Sequence, residues 1–223
     1  MSFKLWGRHS SVRTLKVIQA LVELGIEYRL ILASATTGPD GRVERGYQAY
    51  GVVNTPEYAA MNPNRRAPTI DDDGFVLWEA NSIVEYLGMK YDPELFYGND
   101  VYTFASASRW LGFEEHNLNA RQREVAFQLL RYPEGNLDAE KLAAARRRLK
   151  EEFGKVENQL GKTDYIAADR WTMGDIAIGI RVHRWILLEG ERPDMPNIMR
   201  YYDKIKARPA FMSVADPSYH TEG

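Results

Sequence analysis

The chain has no cysteine among its 223 residues. That excludes disulfides, thiolate-ligated metals and a cysteine nucleophile. Histidine is scarce: His9, His116, His183 and His220 are scattered, none at a metal-ligand spacing with carboxylates, so no metal site is expected. No run approaches the roughly 18 apolar residues of a membrane helix, so no membrane partner is expected. The first residues, Met1 to Trp6, form no apolar signal segment, which places the protein in the cytoplasm as an expectation. Neither sign of charge dominates: the formal net charge is −2, and nothing global points to nucleic acid.

What is present is ordinary for a globular protein, with 44% hydrophobic and 27% charged residues, enough for one large or two modest domains. Phe3–Trp6 reads as a strand stopped by Gly7. Ser10-Ser11 precedes a run in which Val12, Leu15, Ile18, Leu21 and Val22 recur at helical spacing up to Gly25. Glu27–Leu32 reads as a second strand, completing a strand–helix–strand unit whose strands should run parallel. Residues 33–54 lack periodicity and read as a long loop, a kind of segment that is usually functional. Thr55-Pro56 reads as a capped start of a short helix.

The segment Met61–Ile83 is the most informative. Pro68 precedes a strand, Asp71-Asp72-Asp73-Gly74 makes a turn, a second strand ends at Trp78, and a helix opens at Glu79 and runs to about Tyr91. A proline before a strand removes one backbone donor, leaving a place where an extended peptide can pair. A helix start offers a positive end, with Glu79 as the nearby acid. Together these suit a zwitterionic, peptide-like ligand. Residues 90–100 read as a linker. Beyond them strand signals vanish, and helices are expected over about 101–131, 138–160, 173–189 and 195–207. The division is therefore 1–90 and 101–223. Thr172-Met173-Gly174-Asp175, between Trp171 and Ile176, reads as a capping box with a staple and carries no chemistry. Arg146-Arg147-Arg148 reads as a solvated helix face or part of a dimer surface.

Three segments carry a family resemblance: Gly7–Val17 with its serines, Asn62–Ile70 followed by Glu79-Ala80-Asn81-Ser82-Ile83, and Tyr165–Ala177. In this order over nearly the whole chain, they resemble the glutathione transferases, in particular bacterial ones with a serine near the first helix. The resemblance implies an α/β thioredoxin-like N-terminal domain plus an all-α C-terminal domain, a homodimer, and glutathione as co-substrate. The implied reaction is attack of the glutathione thiolate on a small hydrophobic electrophile, which the sequence does not name. The thiol-transferase branch, which forms a mixed disulfide through a cysteine, is excluded. A binding protein on the same scaffold and a glutathione-dependent isomerase are the alternatives.

From the residues alone, Ser10 or Ser11 can cap the helix or donate a hydroxyl hydrogen bond. The resemblance selects Ser11 as catalytic, with Ser10 beside it and Arg13 adding to the positive field. It also implies a cis Ala67-Pro68 bond that pairs with the cysteinyl part of glutathione. Glu79 would meet the γ-glutamyl ammonium, Asn81 would lie near the same end, and Arg66, with Arg65 beside it, would face the glycyl carboxylate. Ala80 departs from the family, which commonly has serine there. Trp110, Phe113, His116 and Asn117, spaced along one predicted helix, are expected to line the electrophile pocket, with Tyr47 and Tyr50 of the long loop closing over it.

Overall fold

The computed structural model describes residues 3–34, 50–130, 138–188, 190 and 192–221. The first half is a mixed five-stranded sheet flanked by helices. Strand β1 (Phe3–Gly7) leads into helix α1 (Val12–Glu23) and back into β2 (Tyr28–Ser34), which lies parallel to β1. A two-residue strand, β3 (Tyr50–Gly51), pairs antiparallel with β2 at the sheet edge, and a short helix α2 (Pro56–Met61) follows. Strands β4 (Thr69–Asp72) and β5 (Phe75–Trp78) form an antiparallel hairpin, and β4 lies beside β1. The sheet order is β3-β2-β1-β4-β5. Helix α3 (Ala80–Tyr91) closes this half.

The strand–helix–strand and strand–strand–helix order read from the sequence is therefore present. The two-residue β3 is too short to leave a periodic signal. It falls within 33–54, most of which, Tyr47 included, lies outside the described residues, and nothing is described of the Tyr50 side chain.

The second half is helical. The expected linker contains a short helix, α4 (Pro93–Tyr97), capped by Asp92, whose carboxylate accepts from the Leu95 amide at 2.8 Å. The expected helix over 101–131 is two helices, α5 (Val101–Phe113) and α6 (Asn119–Leu130), joined by a π-helical turn at Glu114–Leu118. Then come α7 (Ala139–Leu160), α8 (Met173–Leu187), α9 (Pro196–Lys206) and a terminal turn, α10 (Ser218–Thr221).

Helix α8 is the central post of this half: Met173 through His183 are all buried. Its start is held as the sequence predicted. The Asp175 carboxylate accepts from the amides of Thr172 (2.8 Å) and Ile166 (2.9 Å) and from the Thr172 hydroxyl (3.1 Å). Burial pushes the Asp175 carboxyl up to about 6 against these three donors. Helix α1 packs on α8 and on α3, so the cores of the two halves are continuous: Leu15, Ile18, Ile83, Ile176 and Ile180 belong to one cluster, each at most 1% exposed. The N-terminus of α1 is therefore held from both halves of the molecule.

Candidate functional site

The strand register determines which loops meet. Trp6 of β1 lies opposite Thr69 of β4, and Thr69 lies opposite Trp78 of β5. Since β4 runs against both neighbours, the end of β1, the start of β4 and the end of β5 share one edge of the sheet. Gly7 to Ser11, Ala67-Pro68 and Glu79 to Asn81 leave from that edge. Three segments distant in the sequence converge there by register alone.

Ser11 is the N-cap of α1, with extended backbone, and its Oγ accepts from the Thr14 amide at 3.4 Å. A hydroxyl has one proton and two lone pairs, so accepting the cap bond leaves its proton free to donate. Capping and donation to an anion are compatible roles for the same atom. Ser11 is half-buried, and Val12, Thr14 and Leu15 anchor the turn beneath it. Gly7 permits the close return of the chain, since a Cβ there would lie 2.5 Å from the Thr14 side chain. Ser10 is half-buried on the same turn.

The Ala67-Pro68 bond is cis. Two buried side chains hold the strand start. Asn62 Nδ2 donates to the Arg66 carbonyl (2.8 Å) and to Thr69 Oγ1 (3.0 Å). The Tyr58 hydroxyl also bonds the Arg66 carbonyl (2.7 Å) and lies 2.9 Å from Thr69 Oγ1. This clamp fixes the backbone of residues 66–69 where the chain enters β4. Arg65, with φ of +49°, and Arg66 are exposed, and neither forms an ion pair among the described residues. Both are available to an anion.

Glu79 sits at the N-cap of α3 with φ of +74°, and its carboxylate makes no capping bond. A non-glycine residue in left-handed backbone is strained, and such strain recurs where structure serves a site. Its effect here is to leave an exposed carboxylate beside the free amides of the first turn of α3. Ala80, buried, supplies no hydroxyl there, and Ser82 is exposed on a different side of the helix.

Asn81 is placed differently from expectation. Its Oδ1 accepts from Lys16 Nζ at 2.7 Å, and its Nδ2 donates to the Leu111 carbonyl at 2.8 Å. Both ends of the amide are engaged by protein, so Asn81 ties α3 to α1 and α5 rather than facing a ligand. Arg13 also departs from expectation. It is ion-paired with Glu115, so its charge is offset locally instead of adding to the field at Ser11.

Sequence reasoning missed the charged cluster behind α1. Lys16, fully buried, bonds Glu114, which is also fully buried. Arg181 of α8 donates through Nε to the other oxygen of Glu114 at 2.6 Å and through Nη2 to Asn119 at 2.7 Å. Asn119 in turn donates to Glu115 at 3.2 Å. Burial alone would raise the Glu114 carboxyl; the attraction of Lys16 and Arg181 and their hydrogen bonds prevail and hold it at about 2. Burial pulls the Lys16 ammonium down, assisted by Arg181 and opposed by Glu114. The one available signal was Lys16 itself, a lysine inside the otherwise apolar face Leu15, Val17, Ile18.

Of the residues expected on the electrophile side, Phe113 and Asn117 contact α7. Trp110 is buried against Phe113 (centroids 5.1 Å apart). Lys155 of α7 lies over the Phe113 ring, Asn117 donates to Glu152 of α7 at 3.2 Å, and His116 is exposed. In and beside the π turn, Glu114 and Glu115 meet α1, while Phe113 and Asn117, four residues apart, both meet α7.

Known proteins resemble this chain along most of its length. Residues 10–89 match the model of the glutathione S-transferase N-terminal domain, and residues 123–209 match that of the glutathione S-transferase C-terminal domain. The chain is also 30% identical to a solved theta class glutathione S-transferase from Xanthomonas axonopodis pv. citri with glutathione bound, with a TM-score of 0.83 and 96% of each chain covered. The chain belongs to the glutathione S-transferase family. Other relatives are glutathione S-transferase GstB of Escherichia coli, 28% identical over 94% of this chain and 96% of its own, and glutathione S-transferase 3 of Zea mays, 27% identical over 93% and 90%. The family carries the fold read from the sequence, a thioredoxin-like half followed by a helical half. No helix among the described residues is long and apolar enough to cross a membrane.

Proposed function

We propose that this transferase binds glutathione at the shared sheet edge and holds it as the thiolate through Ser11, for attack on a hydrophobic electrophile. The observation that carries the reading is the convergence of Ser11, Ala67-Pro68 and Glu79 at one end of the sheet, with the Ser11 proton free beyond its capping bond. The tripeptide lies extended along Ala67-Pro68, its γ-glutamyl ammonium at Glu79, its γ-glutamyl carboxylate at the first amides of α3, and its glycyl carboxylate towards Arg66. The Ser11 hydroxyl and the helix end favour the charged sulfur, which lowers the thiol pKa towards neutral pH. Nucleophile activation and positioning then supply the rate.

The test is calorimetric titration of glutathione into the wild type and Ser11→Ala, with thiolate absorbance followed against pH. Binding by both proteins with a depressed thiol pKa in the wild type alone is expected, along with a loss in kcat/KM of about 10² to 10³ in the variant. Equal thiol pKa in the two proteins overturns the role of Ser11. Absence of binding to the wild type overturns the glutathione site.

A homodimer belongs to the same reading. Large apolar side chains stand exposed on β5 (Phe75), α3 (Met89) and the start of α5 (Val101, Tyr102), and such exposure marks an association surface. Sedimentation of Tyr102→Glu should show a shift from dimer to monomer.

A further inference from the structure

The turn that presents Ser11 is held at its base and at its outer corner. The Ser11 amide donates to the Arg8 carbonyl at 3.2 Å, which closes the turn Arg8–Ser11. At the base, buried Thr14 accepts from the Arg8 amide on Oγ1 at 3.5 Å and donates its own amide to Ser11 Oγ. His9 stands at the outer corner, two residues before Ser11, and is exposed. Its imidazole stacks on the ring of Tyr219, with 4.7 Å between centroids and 19° between planes.

Tyr219 lies on α10, and that turn has an anchorage of its own. Asp216 Oδ1 accepts from the amide (2.9 Å) and the hydroxyl (2.8 Å) of Ser218. The amides of Tyr219 and His220 donate to the carbonyls of Asp216 and Pro217, each at 3.0 Å. His220 is fully buried: its Nε2 donates to the Val214 carbonyl at 2.7 Å, and its ring stands edge-on to His183 of α8 at 4.6 Å. His183 is fixed in turn by the Tyr202 hydroxyl (2.6 Å) and the Ala215 carbonyl (3.1 Å). Neighbouring residues of α10 therefore serve different halves of the molecule. His220 fastens the turn to the helical half, and Tyr219 reaches the loop between β1 and α1.

An exposed loop corner keeps its conformational freedom unless something outside the loop holds it. We propose that Tyr219 is a positioning residue for the transferase reaction: stacked on His9, it holds the corner of the Arg8–Ser11 turn and with it the direction of the Ser11 hydroxyl. The inference rests on the reading of Ser11 as donor to the glutathione thiolate. Such a hydrogen bond weakens steeply as its angle departs from linear, so a small rotation of the turn raises the thiol pKa and slows the reaction. The ring of Tyr219 carries the effect, not its hydroxyl. Glutathione itself is held by Ala67-Pro68, Glu79 and Arg66 in the same reading, so its binding does not depend on the stack.

The test is a double-mutant cycle of Tyr219→Ala, His9→Ala and the pair, with Tyr219→Phe and Ser11→Ala alongside. Each protein is followed by the thiolate absorbance of bound glutathione against pH, by kcat and KM with 1-chloro-2,4-dinitrobenzene, and by urea unfolding to check that it is folded in the assay. Tyr219→Ala should raise the thiol pKa and lower kcat about three- to tenfold, with the KM for glutathione unchanged. His9→Ala should show the same loss, the pair no further loss, and Tyr219→Phe wild-type values. His9 is exposed, so His9→Ala reads the contact even where truncating Tyr219 unfolds α10. Additive losses, failure of phenylalanine to rescue, or a changed KM for the electrophile at an unchanged thiol pKa overturns the proposal. If Ser11→Ala raises the thiol pKa and neither Tyr219→Ala nor His9→Ala does, this proposal alone fails. If Ser11→Ala leaves it unchanged, the reading of Ser11 fails and this proposal with it.

Discussion

Lys16 on α1 and Asn81 on α3 share a 2.7 Å hydrogen bond, which ties together the two helices whose N-termini face the sheet edge. The tie continues through Glu114 and Arg181 to α8, and Arg13 with Glu115 adds a second link from α1 to the same π turn. One turn of five residues thus supplies both carboxylates that hold the helix bearing Ser11. The position of the serine is set by the helical half as well as by its own strand.

Within this cluster the three charges are not equivalent. Glu114 is the common partner of Lys16 and Arg181, so Glu114→Ala leaves two buried cations facing each other. Lys16→Met leaves Glu114 still paired with Arg181. Breaking a buried pair on the uncompensated side costs about 3–5 kcal/mol, which is the expectation for Glu114→Ala. Lys16→Met should cost about 1–2 kcal/mol, on the scale of a hydrogen bond to a charged group. Urea unfolding of both variants checks the order; a larger loss for Lys16→Met would contradict it.

This cluster also marks the limit of what was legible in the sequence. Ser11, Pro68, Glu79 and the Thr172–Asp175 box were readable because each is a local event: a cap, a proline before a strand, an acid at a helix start. Lys16 and Glu114 are 98 residues apart, and no local pattern pairs them. The π turn was invisible for a related reason. It changes the winding of one helix at Glu114–Leu118, and a change of winding leaves no mark in a local apolar pattern. Asn81 shows a third kind of miss: its position near a helix start was read correctly, but an amide can serve protein or ligand equally well, and only the fold decides.

Ala80 gives a prediction with a gain in function. It is buried at the start of α3, where a serine hydroxyl would lie beside the proposed γ-glutamyl carboxylate. A hydrogen bond to a charged group contributes roughly 1.5–3 kcal/mol, or one to two decades in affinity. Ala80→Ser should therefore tighten glutathione binding at least about tenfold in calorimetry, with little change in the pKa of the bound thiol, which the proposed mechanism assigns to Ser11. An unchanged affinity would place the carboxylate elsewhere.

Asp175 has the opposite character, a purely structural carboxylate. Asp175→Ala removes an acceptor shared by three donors and leaves the buried amides of Ile166 and Thr172 unpaired. Capping loss and unpaired buried donors together should cost about 3 kcal/mol. Thermal unfolding should show the loss, while the KM for glutathione of the protein that remains folded should stay at its wild-type value.

Two buried groups of opposite sign, His220 and Asp175, contribute to the pH dependence of stability between about pH 4 and 7. His220 Nε2 donates to the Val214 carbonyl at 2.7 Å, and its Nδ1 has no partner among the described residues. His183 stands against it, 4.6 Å between ring centroids. Burial, with His183, Arg184 and Arg181 adding repulsion, pulls the His220 imidazole down to about 4. A depressed folded value means stability that is fully present above the unfolded pKa of about 6.5 and is lost as pH falls towards 4. Asp175, raised to about 6, acts in reverse: its contribution is fully present below the unfolded carboxyl pKa of about 3.9 and is lost as pH rises through 6. In the wild type the two partly cancel between these limits, so a bare stability curve would look flat and mislead. The informative quantity is the difference between wild type and His220→Phe. Phenylalanine removes the titration, so the wild type's stability relative to the variant should fall by about 2 kcal/mol between pH 7 and pH 4.5. Urea unfolding of both proteins at the two pH values measures it, and a difference independent of pH would mean that His220 titrates normally and that the α10 turn does not bury it in solution.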